Sequence, residues 1–314
     1  MGEHGILDGR KGYFAAIVIA ALSGCIANQQ LQTAQAREVL RNDKGVTVYA
    51  AGDVADCKGG RPERSGAAKT AALIEAGLAA DPAARVLMLG DATYPVGTLA
   101  EFTGCYEPTW GRFKQSTLPA PGNHEYYTPQ AVGYYTYFGD IAGPERRGYY
   151  SFDLGPWHVI SLNSYLKPEP YRAQLEWLAR DLAQHKTRCT LAYFHHPRFS
   201  SGGHGDNPQI DDMWRMLAQA GVDLVLAAHD HNYERLAPKN ADGNRDDAAG
   251  MRSFVIGTGG AKLTLLRFRG LDSEVVDNST HGVLKLALKQ QGYEWEFLPV
   301  KKDGFTDSGA GLCH

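Results

Sequence analysis

The chain has 314 residues, a formal net charge of −3 and 21% charged residues. This length accommodates one large α/β domain with its own hydrophobic core. The net charge is small and the basic residues form no run, so the composition excludes an extended electrostatic surface for nucleic acid.

The N-terminal segment is typical of an export signal. Arg10 and Lys11 precede an apolar stretch from Tyr13 to Leu22. This stretch is too short to span a bilayer but fits the core of a signal peptide. We therefore expect the protein to act outside the cytoplasm.

The tetrad Leu22-Ser23-Gly24-Cys25 resembles a bacterial lipobox, in which the leader is removed before the cysteine and Cys25 then carries a lipid. An ordinary secretory signal cleaved a few residues later is the alternative. The first interpretation predicts a lipoprotein signal peptide over residues 1–24, a tether or poorly packed helix over 25–44, and the folded domain over 45–314. The lipid would hold the protein at the membrane of the cell envelope.

Strands and helices alternate along the rest of the chain. Short apolar runs predict buried strands, and the 3.6-residue spacing of apolar residues predicts helices between them. The predicted strands are Val46–Ala51, Arg85–Leu89, Leu118–Pro121, Tyr149–Leu154, Trp157–Asn163, Thr190–Phe194, Val222–Ala228, Ser253–Ile256, Gly282–Leu288 and Tyr293–Val300, and the helices are Ala67–Ala80, Tyr171–His185 and Asp211–Ala220. No internal repeat or composition break indicates a second domain.

Five of these strands are followed by residue types that bind metal ions. The residues are Asp53, Asp91 with Tyr94 three positions on, Asn123, His195, and the pair His229 and His231. The carboxyl ends of strands in α/β sheets are where ligands usually bind. We therefore expect these side chains to converge at one edge.

Carboxylate, amide and imidazole donors suit hard to borderline cations, and no closely spaced cysteines offer a structural zinc site. Two cations at the ~3.5–4 Å spacing of dinuclear sites repel each other, so such a site needs a shared anionic ligand. Asp91 is the candidate for this bridge. A dinuclear centre of this kind is catalytic rather than structural.

The order of these segments resembles the metallophosphoesterase superfamily, and Tyr94 narrows the resemblance to its purple acid phosphatase branch. The resemblance covers most of the chain after Val46 and implies an α/β fold of two mixed β-sheets packed face to face with flanking helices. It also implies two metal ions. One would be bound by Asp53, Asp91, Tyr94 and His231, and the other by Asp91, Asn123, His195 and His229.

The first of these sites would carry two carboxylates and a phenolate, which favours Fe³⁺ because a phenol ionises at neutral pH only beside a strong Lewis acid. Fe²⁺, Zn²⁺ or Mn²⁺ would suit the second site. Two departures from the family pattern stand out. Asp53 is followed by Val54-Ala55 instead of x-Gly or x-His, and Ala192 replaces the usual valine before His195.

Further residues have candidate supporting roles. His124 follows Asn123, and we expect it to stabilise phosphoryl oxygens or protonate the leaving group, with Glu125 orienting its ring. His204 lies in a glycine-rich loop that suits a substrate-facing imidazole, although a structural role is equally open. His196 should point away from His195 on an extended chain and support the site from behind. Asp230 is expected to support the turn between the two histidines.

If the protein is exported, we expect its other four cysteines to form disulfides, because disulfides persist in oxidising compartments. We favour the pair Cys57–Cys105, since both follow the metal-bearing ends of the first two strands. This choice leaves Cys189–Cys313, which would fasten the C-terminal tail. Free buried thiols are the alternative.

The expected function is hydrolysis of phosphomonoesters by a hydroxide bound between the metal ions, with small phosphoesters as substrates. A phosphodiesterase acting on nucleotides or glycerophosphodiesters would use the same site, because loops set the specificity. An envelope lipoprotein that binds phosphate or metal without turnover is the remaining alternative. The oligomeric state is not predicted.

Overall fold

A computed structural model describes residues 29–57, 60–185 and 189–314. Cys25 and the predicted signal peptide lie outside these residues. The described strands are β1 (Val46–Ala51), β2 (Arg85–Leu89), β3 (Thr117–Ala120), β4 (Tyr150–Leu154), β5 (Trp157–Ser161), β6 (Cys189–Tyr193), β7 (Leu224–Ala227), β8 (Tyr233–Leu236), β9 (Arg252–Ile256), β10 (Ser273–Asp277), β11 (Gly282–Lys289), β12 (Gly292–Pro299) and β13 (Ser308–Leu312). The helices are α1 (29–40), α2 (Gly66–Ala80), α3 (Leu99–Glu101), α4 (Asn123–Tyr127), α5 (Val132–Phe138), α6 (Pro168–Gln184) and α7 (Asp211–Gln219).

The strands form two mixed sheets. The first sheet has the order β13-β12-β11-β1-β2-β3 and the second has the order β10-β8-β9-β7-β6-β5-β4. Strands β1, β2 and β3 run parallel in the first sheet, and β5, β6, β7 and β9 run parallel in the second. The parallel strands bring their carboxyl ends to one edge of each sheet, where the metal-ligand candidates follow.

The two sheets pack face to face around the main core. The end of β6 and the residue after it show the arrangement: Leu191 and Tyr193 belong to the core between the sheets, whereas Ala192 and Phe194 pack with α6 and α7 on the outer face. This is the two-residue alternation of a strand that is buried on both faces. The Tyr193 hydroxyl donates to the carbonyl oxygen of Leu118 in the other sheet at 3.2 Å. The predicted fold is therefore confirmed.

Of the two forms expected for residues 25–44, a tether or a poorly packed helix, the described residues 29–40 adopt the helix, α1. Its residues Ala36 and Leu40 are buried against Ala310 of β13. The apolar residues recur at a four-residue interval, so they form one helical face that covers the edge of the first sheet. In the part of the chain that the structure describes, no helix is long and apolar enough to cross a bilayer.

Two disulfides join Cys57 to Cys105 and Cys189 to Cys313. These are the pairs that the sequence analysis favours. The second bond ties β6 to the segment after β13, so the C-terminal residues are fixed to the second sheet as well as to β12. Each bond restricts the unfolded chain over a long loop, which stabilises the folded state.

Candidate metal centre

The predicted ligands converge at the carboxyl ends of five parallel strands. Three of them have left-handed backbone conformations, with φ values of 57° at Asp53, 50° at Asp91 and 69° at His229. Such values are uncommon for residues other than glycine and tend to occur at functional sites, where the surrounding structure enforces them. The turn after each strand is thus shaped to aim a donor into the site.

Two glycines allow the close packing of these turns. Gly90 has a φ of 89°, and a Cβ atom there would lie 2.6 Å from Nδ1 of His195. A Cβ atom at Gly122 would lie 2.2 Å from the Asp91 Oδ1 atom. The Gly-Asp and Gly-Asn pairs in the sequence therefore reflect space needed by the neighbouring ligands as well as turn conformation.

The first donor cluster consists of Asp53, Tyr94 and His231. The Tyr94 hydroxyl donates to Asp53 Oδ1 at 2.7 Å, and it lies 3.1 Å from His231 Nε2. The distance from His231 Nε2 to Asp53 Oδ1 is 3.2 Å. One carboxylate oxygen, one phenol oxygen and one imidazole nitrogen thus face a common point.

The second donor cluster consists of Asn123, His195 and His229. His195 Nε2 lies 3.1 Å from Asn123 Oδ1 and 3.2 Å from His229 Nδ1. Tyr127, which the sequence analysis overlooked, accepts a hydrogen bond from Asn123 Nδ2 at 2.9 Å. Its position four residues after Asn123 on α4 places it to orient the amide so that the oxygen faces the imidazoles.

Asp91 lies between the two clusters. Its Oδ2 atom is 3.2 Å from the Tyr94 hydroxyl and 3.2 Å from His195 Nε2. Its other oxygen accepts the backbone N–H of His124 at 2.9 Å, which fixes the carboxylate in this orientation. Asp91 is thus placed to bridge two cations, as the sequence analysis expects.

Backbone carbonyl groups determine which nitrogen of two rings faces the site. His195 Nδ1 contacts the Leu89 carbonyl oxygen at 2.9 Å, and His231 Nδ1 contacts that of Lys262 at 2.7 Å. A carbonyl oxygen only accepts, so each Nδ1 carries a hydrogen and each Nε2 is the atom left to bind a cation. This arrangement is typical of metal-binding histidines.

The electrostatics of the site fit cation binding. Burial opposes charge on both rings, yet Asp91 raises the pKa of His195 to about 9 and Asp53 raises the pKa of His231 to about 9. Burial raises the pKa of Tyr94 well above 10, and Asp53 and Asp91 raise it further. The buried carboxylates of Asp53 and Asp91 therefore attract positive charge. A metal cation that replaces the protons on His195 and His231 would supply that charge.

His124 lies at the mouth of the site, and its environment corrects one prediction. Its Nδ1 atom contacts the Pro95 carbonyl oxygen at 2.6 Å, and its Nε2 atom is 3.8 Å from Asp91 Oδ2. Its ring packs against Tyr94 with centroids 4.3 Å apart. The Pro95 carbonyl group, and not Glu125, is the polar group that orients this ring.

Glu125 instead holds the backbone that carries the bridging aspartate. Its buried carboxylate accepts hydrogen bonds from the backbone N–H groups of Asp91, Ala92 and Gly122 at 3.0, 2.8 and 2.6 Å. Burial and the nearby Asp91 raise the pKa of Glu125 to about 8, although the N–H donors oppose that rise. The carboxylate faces away from the ring of His124 because helix α4 turns successive side chains by about 100°.

His204 lies beside His229 at the site. Its ring centroid is 4.1 Å from that of His229. Its backbone N–H donates to Asp230 Oδ1 at 2.9 Å, and the Ser200 hydroxyl donates to the other oxygen of Asp230 at 2.5 Å. Asp230 thus fixes the loop that carries His204, in addition to its place between His229 and His231.

His196 does not point away from the site. Its ring centroid is 4.2 Å from that of His229, and both rings line a cavity of about 270 Å³ over the donors. Strand β6 ends at Tyr193, so the two-residue alternation of an extended chain no longer applies at position 196. His196 Nδ1 is 2.9 Å from the Ser164 hydroxyl, which leaves its other nitrogen toward the cavity.

Comparison with known proteins agrees with this geometry. A model of the calcineurin-like phosphoesterase family matches residues 32–233. The chain belongs to this family. The match runs from within α1 to the first residue of β8 and so includes every predicted metal ligand.

Purple acid phosphatases are among its homologues. The chain is 32% identical over 132 residues to purple acid phosphatase 18 of Arabidopsis thaliana, an alignment that covers 40% of this chain and 30% of that protein. It is 29% identical over 194 residues to purple acid phosphatase 21 of the same plant, covering 54% and 44%. The chain therefore spans less than half the length of these relatives.

The purple acid phosphatase PPD1 from seeds of yellow lupin, Lupinus luteus, has a similar fold. It superposes with a TM-score of 0.65 and 20% sequence identity over 84% of this chain and 53% of the lupin chain. The metallophosphoesterase fold and the relation to purple acid phosphatases are both confirmed.

Proposed function

We propose that the protein is a dinuclear-metal phosphatase that hydrolyses phosphomonoesters. The position of Asp91 between two donor clusters carries this proposal, because one carboxylate shared by two cations is the arrangement that clamps a phosphoryl group. When bound, the cations would lower the pKa of water and neutralise charge on the phosphoryl oxygens. Donor chemistry and family membership support this function.

The first cluster is proposed to hold the more highly charged ion. Asp53 and Tyr94 contribute a carboxylate and a phenol to that cluster, and Asp91 contributes shared charge. A phenol with a raised pKa becomes a ligand only to a strongly Lewis-acidic ion, which favours Fe³⁺. Asn123, His195 and His229 are neutral ligands and suit Fe²⁺, Zn²⁺ or Mn²⁺.

His124 is the proposed acid for the leaving group. Hydrogen bonding of Nδ1 to Pro95 directs Nε2 toward the cavity, where it can carry the proton that the departing oxygen takes up. His204 and His196 are proposed to contact phosphoryl oxygens from the side of His229. In this arrangement imidazole groups line most of the small cavity.

A direct test compares p-nitrophenyl phosphate with bis-p-nitrophenyl phosphate, each with and without a chelator. We expect the monoester to be hydrolysed faster and the chelator to abolish its hydrolysis. Faster hydrolysis of the diester would indicate a phosphodiesterase, and binding of metal without turnover of either substrate would indicate a binding protein.

We also propose that the protein is an exported lipoprotein anchored through Cys25. The lipobox-like tetrad and the two disulfides support this location, because disulfides are rare in reducing compartments. Substitution Cys25→Ser should move the protein from the membrane fraction to the soluble fraction. A wild-type protein that is already soluble and cleaved after residue 25 would contradict the lipid anchor.

A further inference from the structure

A second, larger cavity adjoins the candidate metal centre. Its volume is about 860 Å³, within the range of small-molecule sites. Tyr165 lines both this cavity and the smaller one over the metal ligands, so the two adjoin at this residue. We call the larger cavity the leaving-group groove and define it by Tyr126, Tyr135, Tyr149, Tyr165, Arg146 and Lys167.

The aromatic walls of the groove are held in place by contacts behind them. The Tyr126 hydroxyl accepts from Asn163 Nδ2 at 2.6 Å and is 3.1 Å from the Tyr135 hydroxyl. The ring of Tyr149 packs on Trp177 with centroids 5.0 Å apart. With their hydroxyl groups engaged and their rings packed, these side chains present ring faces and edges to a ligand.

Tyr165 forms the junction with the metal centre. It is 42% exposed, its ring is stacked on His196 at 5.6 Å, and the ring of Tyr126 is 5.7 Å away. A planar group that leaves the metal centre along this path would meet aromatic faces in succession. Stacked and edge-to-face pairs of rings attract each other beyond the effect of the area that they bury.

The rim of the groove is positively charged. Arg146, Arg147 and Lys167 line it together with one acid, Glu145. Glu145 pairs with Arg147. Among the described residues, no acid forms an ion pair with Arg146 or Lys167, so both cations are available to an anionic ligand.

We propose that this groove binds the leaving group of the substrate, and that the preferred leaving group is an extended aromatic one with a second negative charge at its far end. The inference rests on the proposed function, since it assigns a substrate class to the same site. The phosphoryl group would lie over the metal ligands, the rings would stack along Tyr165 and Tyr126, and the distal anion would face Arg146 and Lys167. A monoester with a short aliphatic leaving group would leave the groove unfilled.

Three aryl phosphates with closely similar phenolic leaving groups test this assignment. They are phenyl phosphate, biphenyl-4-yl phosphate and 4'-carboxybiphenyl-4-yl phosphate. We expect the second ring to raise kcat/KM by about tenfold, which is typical for filling an apolar pocket. The carboxylate should add about two- to fivefold at low ionic strength, and this increment should fall with added salt.

Variants separate the contribution of the cations at the rim from that of the space that the second ring would fill. Arg146→Ala combined with Lys167→Ala should remove the increment due to the carboxylate and leave the effect of the second ring. Ala173→Phe should fill the groove from α6, where Ala173 is exposed, and remove the effect of the second ring. The matched control is Arg180→Ala, which removes an exposed cation of the same helix that does not line the groove.

Phenyl phosphate is the internal reference for all variants, and its kcat/KM should stay within about twofold of wild type. Equal kcat/KM values for the three substrates, or a biphenyl preference that survives Ala173→Phe, would overturn the groove assignment while the phosphatase function stands. Absence of phenyl phosphate hydrolysis with every metal would instead overturn the proposed function itself.

Discussion

The hydroxyl of Tyr94 donates a hydrogen bond of 2.7 Å to the carboxylate of Asp53, across the carboxyl ends of two neighbouring strands. The same hydroxyl lies 3.2 Å from Asp91, so a phenol is enclosed by two buried carboxylates. This contact makes Tyr94 the residue that distinguishes the first metal position from the second. It also makes the identity of the first ion testable by spectroscopy.

Protein produced with iron should absorb visible light through charge transfer from Tyr94 to Fe³⁺. Tyr94→Phe removes the phenol oxygen but keeps the ring that packs on His124, so the colour should be lost more completely than the activity. Absorption spectra with parallel metal analysis would check this. Fully active enzyme without iron would contradict the iron assignment and leave the dinuclear site intact.

His124→Ala should slow the hydrolysis of substrates with poor leaving groups more than that of substrates with good ones. Proton donation contributes ~10²–10⁴-fold, and most where the departing oxygen is strongly basic. Hydrolysis of glycerol phosphate should therefore fall much further than that of p-nitrophenyl phosphate, with the metal content unchanged. An equal loss on both substrates would indicate phosphate binding by His124, and a loss of metal would make the residue structural.

Glu125→Gln should destabilise the turn that carries Asp91. An amide has one acceptor oxygen where the carboxylate has two, so at least one of three buried N–H groups loses its partner. We expect the free energy of unfolding to fall by about 1–3 kcal/mol, with weaker metal binding. Urea denaturation and metal titration measure the two effects, and Glu176→Gln at an exposed position of α6 is the control. Unchanged values for both would refute the role of Glu125.

His158 should make stability depend on pH. Its buried ring lies 2.8 Å from Asp181 and 3.0 Å from Asp153. Burial works against charge on the ring, but Asp181 and Asp153 raise the pKa of His158 above its ordinary value of 6.5. A raised folded-state pKa means that this stabilisation is fully present below pH 6.5 and is lost as the pH rises through the folded-state value.

The variant His158→Gln should therefore be less stable than wild type by about 1–3 kcal/mol at pH 6, and the difference should shrink toward pH 9. Urea denaturation at several pH values measures it. A difference that is the same at pH 6 and pH 9 would show that the ring contributes through packing alone.

The sequence predicts most of the site because each ligand follows a short apolar run. Those runs are the parallel strands, and parallel strands of one sheet end at a common edge, so Asp53, Asp91 and Asn123 had to be neighbours, as did His195 and His229. The pair Gly155-Pro156 between two apolar runs is a turn signal and predicts the antiparallel hairpin of β4 and β5. Such strands and turns can be predicted from neighbouring residues in the sequence, without information on distant contacts.

Other features depend on tertiary contacts that no local pattern records. The direction of His196 follows from where β6 ends, and the helical fold of residues 29–40 follows from packing on Ala310. Strand β8, which begins at Tyr233, is not among the strands predicted from the sequence, because its pairing partners come from other segments of the chain. The role of Glu125 also required the positions of three backbone N–H groups.

Sharing of Asp91 by two cations is the feature on which the proposed phosphatase function depends. The most direct measurement titrates metal into chelator-treated protein and follows bound metal by mass spectrometry of the intact protein together with hydrolysis of p-nitrophenyl phosphate. We expect two ions per chain with activity appearing as the second one binds, and Asp91→Asn should impair both steps whereas Asp140→Asn, at an exposed position, should impair neither. Full activity with a single bound ion, or in the presence of the chelator, would contradict the sharing of Asp91.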